Sequence, residues 1–211
     1  RPQRWGHYIG LGIGCLGLLL VAYLCYLDKL LKIGQFIEYG GQAMSPAILV
    51  LVMIYGIRSE LALSVARIAI ICTFAGHGLY AIGYYEMPGD FITMTMNILG
   101  VSQPIAENFL RIAGILDFLI CGAIFHPAFR NSALIYAAVW GLLTALARVW
   151  SGFSFDSAYW GLDQHLHLTL LRLPHAILPL YVLMAIRSMQ ATEHEHDQHG
   201  LPLSASEPAN S

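Results

Sequence analysis

Residues 162–186 read LDQHLHLTLLRLPHAILPLYVLMAI. The run is long and apolar enough to cross a bilayer, because a spanning helix needs roughly 20 mostly apolar residues. It nevertheless carries Arg172 and three histidines, His165, His167 and His175. An ionisable group at the bilayer centre costs about 2.5–3.5 kcal/mol on insertion scales and is tolerated where it faces a bundle interior and a partner. The stretch therefore predicts a membrane helix that turns Arg172 and His175 towards other helices. The two are three positions apart and share a face. Pro174 and Pro179 free backbone carbonyls on the same helix and so add polar partners.

The rest of the chain agrees with a membrane reading. Of 211 residues, 57% are hydrophobic and 11% charged, whereas soluble domains carry about 25% charged residues. A net charge of −2 and the lack of a basic face give no footprint for nucleic acid. The four cysteines, Cys15, Cys25, Cys72 and Cys121, lie in apolar runs without Cys-x-x-Cys spacing. They read as small buried hydrophobes and not as a redox pair. The first apolar run shows no small-residue cleavage site of the signal-peptide kind.

Six stretches qualify as spans, at about 8–27, 35–57, 61–85, 105–125, 132–150 and 165–186. The second is the weakest, because Glu38 and a Gly-Gly pair sit in its first half. Between the third and fourth, PGDFITMTMNILGVSQP (88–104) is too short to cross and mildly amphipathic. It predicts an interfacial helix or re-entrant loop. The expected fold is an all-α polytopic bundle of six spans, with two N-terminal helices in 1–60, four in 61–190, and a polar tail in 191–211 that needs a partner to become ordered. Arg1 and Arg4, Arg58, Arg130 and Arg187 fall on one side of such a bundle. The positive-inside rule makes that side, with both termini, cytoplasmic. Lys29 and Lys32 fall on the other side, so either they snorkel or the first two segments form something less regular than a hairpin.

Residues 64–186 resemble the DoxX-like family of four-helix membrane proteins. The resemblance is carried by Arg67 early in a helix, by FAGHGLYAIG (74–83) with its His77-Gly78 pair, by the short loop PGDFITMTMNILGVS, by RIAGILDFLICGAIF (111–125) with an acid between glycines, and by the Ala-rich ALIYAAVWGLLTALAR (133–148). The chain departs from the family pattern in lacking a Lys soon after His-Gly, in having Asp117 where Glu is usual, and in its two extra N-terminal helices. The resemblance implies a helical bundle in a bacterial inner membrane. In some family members that bundle is linked to quinone-coupled oxidation of sulfur compounds or to redox-stress complexes.

Ionisable residues converge in the outer half of this expected bundle. At about 1.5 Å per residue, His77 lies ~13 Å in, Arg111 ~9 Å, Asp117 ~18 Å, Arg148 ~6 Å, Arg172 ~10 Å and His175 ~15 Å. Asp117 is the expected counter-ion for Arg111, Arg148 or Arg172, and His77 and His175 are expected to line the same cavity. Three arrangements are open: an interhelical clamp, an apolar pocket with convergent polar groups suited to a quinone headgroup or small anion, or axial ligation of a haem by His77 and His175. His165 and His167, two apart, point to opposite sides of a helix and are poor co-ligands. In the tail, His194, His196 and His199 among acids form a weak divalent-metal tract. No nucleotide-binding, zinc-protease or nucleophile-elbow motif is present. The functional expectation is a redox-linked subunit that contacts lipid and other membrane subunits. A quinone- or haem-binding oxidoreductase subunit is the alternative. A small-solute transporter comes last, because no internal repeat and no matched pair of broken helices is visible in the sequence.

Overall fold

The computed structural model describes residues 3–153 and 158–198. Among them the chain forms nine helices: α1 (Gln3–Asp28), α2 (Ile33–Glu38), α3 (Gly40–Tyr55), α4 (Glu60–Ala81), α5 (Gly89–Leu99), α6 (Gln103–Ala123), α7 (Arg130–Ser151), α8 (Ala158–Arg172) and α9 (Pro174–Gln198). Local sequence explains the boundaries. Ser59 caps α4, its hydroxyl accepting from the Ala62 N–H. Gly100 closes α5 at φ 66°, in the left-handed region that glycine enters without steric cost. At the α1–α2 link, Leu30 and Leu31 hold φ of 54° and 60° without being glycine, a strained turn beside Lys29 and Lys32. Lys32 ends with its ammonium 5.9 Å from the centre of the Tyr85 ring.

Helix α4 is the hub, packed against α2, α3, α6 and α9. Its small residues Ala62, Ala66 and Ala69 are fully buried, which lets neighbouring backbones approach closely, as in membrane helix packing. Its 22 residues extend about 33 Å, close to the ~30 Å hydrocarbon thickness. Leu63, Ile70 and Phe74 of α4, Leu134 of α7 and Val182 of α9 form the core. Outside it, α1 lies against α2 and α3 alone among its larger contacts and leaves Trp5, Ile13 and Leu16 about two-thirds exposed. Large apolar side chains remain uncovered around the molecule. In water so extensive an apolar surface would be a liability, and in lipid it is the solvated face. This is a membrane protein.

Among the described residues, five stretches are long and apolar enough to cross a membrane: Trp5–Asp28, Ile33–Tyr55, Glu60–Ala81, Arg130–Ser151 and Gln164–Thr192. The expected sixth, α6, has 21 residues, enough to span, but Glu107, Arg111 and Asp117 make it more polar than the others. The short segment after α4 is a helix, α5, packed on α6 and α7. Arg58 donates to the Thr192 hydroxyl at 3.0 Å, so the α3–α4 turn and the exit of α9 share one side.

Two expectations change. The second and last spans are not continuous helices. The second breaks at Tyr39 between α2 and α3, and the last breaks at Leu173 between α8 and α9. Two interrupted helices, which the sequence did not disclose, are therefore present. The tail is not irregular from residue 192 either, since α9 runs on to Gln198. The side chains of His194 and His196, and the whole of His199, lie outside the described residues.

Candidate functional site

Both helix breaks face α4 near the end remote from Arg58, and they bring the buried charges together. At the first break Tyr39 has φ −77° and ψ 2°, and its N–H turns back to the Phe36 carbonyl at 3.3 Å. The freed groups find side-chain partners. Gln42, with its amide oriented to donate, reaches the Glu38 and Tyr39 carbonyls at 3.2 and 3.3 Å. The Gly41 N–H donates to the Thr73 hydroxyl at 2.8 Å. Gly76 makes the approach possible. A Cβ there would stand 2.6 Å from the Glu38 nitrogen, closer than two unbonded atoms can pack. The second break follows from Pro174, which has no N–H to continue the ladder and is well suited to start α9. Arg172 sits in the last turn of α8, where a cation complements the helix dipole. A Cβ at Gly141 would fall on the His175 carbonyl, so α7 can receive the break only where it lacks a side chain.

The result is a compact polar set in an apolar bundle. Arg172 Nη2 donates to Glu38 Oε1 at 2.9 Å, with the two side chains 15% and 4% exposed. Arg172 Nη1 lies 3.3 Å from His77 Nε2, and that nitrogen is 3.6 Å from Glu38 Oε1. The His77 ring meets the His175 ring edge to face, with centroids 5.4 Å apart, and Phe91 of α5 on another side at 5.9 Å. His175 is 3% exposed, and neither of its ring nitrogens has a hydrogen-bond partner among the described residues. The Arg172 carbonyl lies near the ring without meeting hydrogen-bond geometry.

Of the six residues expected to line one pocket, His77, Arg172 and His175 come together. Arg148 is half-buried on α7, within electrostatic reach of Arg172, Glu38 and Asp90. Arg111 is not part of the set. Its side chain is 55% exposed and pairs at 3.7 Å with Glu107, one turn back on its own helix. Asp117 is buried, as expected, but it has no arginine partner among the described residues. Its Oδ1 is unpartnered, and its polar neighbour is the Trp140 side chain on α7. The reason is angular. Asp117 is turned to Trp140 and Tyr136 of α7, whereas Arg172 reaches Glu38 of α2 and His77 of α4. The counter-ion of Arg172 is Glu38, the residue that weakened the second span in the sequence. The cost argument applied to Arg172 applies equally to an acid inside an apolar run, and it would have found Glu38.

The two imidazoles touch each other, and His77 Nε2 is directed at Arg172 and Glu38. Axial haem ligation by this pair would require the rings to separate and His77 to turn. No group of three His, Cys, Asp or Glu side chains among the described residues is arranged to hold a metal ion, and all four cysteines are free thiols. What the site offers is a buried imidazole whose ring nitrogens make no hydrogen bond among the described residues, beside a buried ion pair and an aromatic wall. No protein-family model matches this chain, and neither a curated protein nor a solved structure matches it.

Proposed function

We propose that the protein is a redox-linked integral membrane subunit that holds a quinone headgroup between the two helix breaks. The observation that carries this reading is His175. A buried polar group without a hydrogen bond costs about 1–3 kcal/mol, and the bare ring nitrogens of His175 lie where a ligand carbonyl or hydroxyl would satisfy them. Phe91 and His77 supply ring faces for a flat headgroup. The exposed apolar exterior supplies a lipid phase in which an isoprenoid tail dissolves. The DoxX-like resemblance of residues 64–186 points to the same chemistry. In this reading α6 crosses as the sixth span, its charges turned to Trp140 and to the interface, and both termini lie on the cytoplasmic side of a bacterial inner membrane.

The test is purification of the full chain from native membrane in mild detergent, with mass spectrometry of co-extracted lipids and chains. A quinone at about one per chain is expected, together with saturable quenching of tryptophan fluorescence by a short-chain quinone. His175→Leu should abolish saturation. Wild-type protein that shows no saturable binding, and migrates without a companion chain, would overturn the reading. The paired breaks at Tyr39 and Leu173 favour one second reading, a small-solute transporter, since transporter sites form where discontinuous helices meet. Solute uptake by reconstituted vesicles, with no quinone effect, would favour it.

A further inference from the structure

Arg172 fixes the state of its neighbour. A guanidinium has five N–H donors and no acceptor. Its Nη1 lies 3.3 Å from His77 Nε2, and this is a hydrogen bond only when that nitrogen carries a lone pair. His77 is then neutral, with its hydrogen on Nδ1. In this state Glu38 Oε1, 3.6 Å away, also faces the lone pair and is held by Arg172 alone at 2.9 Å. A proton on Nε2 reverses both relations. The nitrogen then donates to Glu38 and can no longer accept from Arg172. One atom thus has two competing partners within reach, and a single proton decides between them.

We propose that His77 Nε2 is a proton-binding site that switches Arg172 between a closed and an open arrangement. In the closed arrangement Arg172 bridges Glu38 and His77. When a proton from the aqueous phase or from the ligand binds Nε2, a new N–H bond forms and His77 donates to Glu38. Arg172 keeps Nη2 on Glu38 and releases Nη1, which becomes available to a ligand oxygen beside His175. Glu38 and Arg172 cancel in charge when the site is closed. The open site holds one more positive charge, so a proton and an electron-rich or anionic oxygen are taken up together. The titratable and charged groups around His77 come from several helices. Glu38 comes from α2, with Tyr39 beside it at the break. Arg172 comes from α8, His175 from α9, and Arg148 from α7. Helix α5 brings the uncharged Phe91, next to Asp90, which lies within electrostatic reach of Arg148. On the other side of α4, α6 directs Asp117 to Trp140 instead. The switch stands without the quinone, and only the identity of what meets the freed N–H rests on the ligand reading.

The test uses the full chain in lipid nanodiscs with 15N-labelled imidazoles, His77 being assigned by its disappearance in His77→Gln. Without added quinone, the alkaline spectrum should show hydrogen on Nδ1 and a bare Nε2, and a single acid step should load Nε2. Glu38→Gln should move that step to lower pH by about one unit or more, as expected for loss of a neighbouring carboxylate. Where Glu38→Gln does not fold, the wild type decides. With 13C-labelled glutamate carboxyls, one solvent-shielded resonance should shift at the same pH as the imidazole step. Hydrogen on Nε2 at alkaline pH, a step indifferent to Glu38, or two steps at separate pH values would overturn the proposal. Failure of quinone to bind would leave these signals unchanged and would count against the ligand reading alone.

Discussion

Glu38 and Asp117 are equally buried, each 3% exposed, and their surroundings could hardly differ more. Glu38 closes a short helix at a break, takes a guanidinium at 2.9 Å, and has Gln42 on its backbone carbonyl. Asp117 lies in the middle of an unbroken helix with one oxygen unpartnered. A broken helix brings its own polar backbone into the bundle and must be furnished with donors and acceptors. Charged side chains can join that network. A continuous helix satisfies its own backbone and offers a buried carboxyl nothing except what the facing helix presents. The Glu38 region is therefore held by its charges, and the Asp117 region is held in spite of one.

The largest effect should come from separating the first pair. Arg172→Leu leaves Glu38 buried with no guanidinium, and removal of one partner of a buried ion pair costs about 3–5 kcal/mol. Asp117→Leu removes a group that has little to lose, so it should be near neutral or stabilising. Thermal unfolding of the purified variants in one detergent compares them. Equal destabilisation would erase the contrast between the two regions. A Glu38→Gln, Arg172→Leu double variant should recover much of the loss, because no charge is then left alone.

Backbone approach sharpens the same contrast. Gly76→Ala places a Cβ 2.6–2.7 Å from the Glu38 nitrogen and Cα, so α2 must move. Overpacking of this kind costs about 1–3 kcal/mol. Gly122→Ala on α6 meets nothing within 4 Å. It should be neutral, or stabilising by up to about 1 kcal/mol from helix propensity alone. The same unfolding assay ranks them, and a harmless Gly76→Ala would mean that α2 does not dock on α4 as described.

The sequence disclosed part of the first region and misassigned the second. Apolar runs announced the membrane helices. Arg172 and His175, three apart in an apolar stretch, announced an inward face. His77 was found because an ionisable group deep in an apolar segment is costly and because the His77-Gly78 pair carries the DoxX-like resemblance. Glu38 was seen and read as evidence against a span, because an acid and two glycines lower the hydropathy of a window. In the bundle they are one device, the glycines admitting the backbone and the acid receiving Arg172. Asp117 was given the arginine because depth can be counted from a sequence, whereas the angle around a helix relative to unplaced neighbours cannot. The break at Tyr39 was illegible for a related reason. No proline marks it, and its groups are satisfied by Thr73, a residue 32 positions away from Gly41.

Chemical labelling should separate the two acids next. A hydrophobic carbodiimide modifies carboxyls in apolar surroundings that lack a cation. Asp117 should be labelled and Glu38 spared in the wild type, read by mass spectrometry of the digested chain. Arg172→Leu should expose Glu38 to the reagent and leave Asp117 unchanged. Labelling of Glu38 in the intact protein would show that Arg172 does not hold it.

Arg111 supplies the smallest expected effect and bounds the site from outside. It belongs to the same helix as Asp117, six residues nearer the α5 end, and sequence depth alone grouped it with the buried charges. Its side chain is 55% exposed and meets Glu107 at 3.7 Å and Asn108 at 3.3 Å, both on α6. Pairs of this i, i+4 type contribute about 0.3–0.5 kcal/mol, and salt screens them. Arg111→Ala should change the unfolding temperature by little and leave short-chain quinone binding intact. Arg148→Ala, which removes a half-buried charge near Arg172 and Glu38, should weaken that binding measurably. If Arg111→Ala weakened it as much, the ligand would have to extend from the helix breaks across α5 to α6, and the site would be larger than the Glu38 region alone.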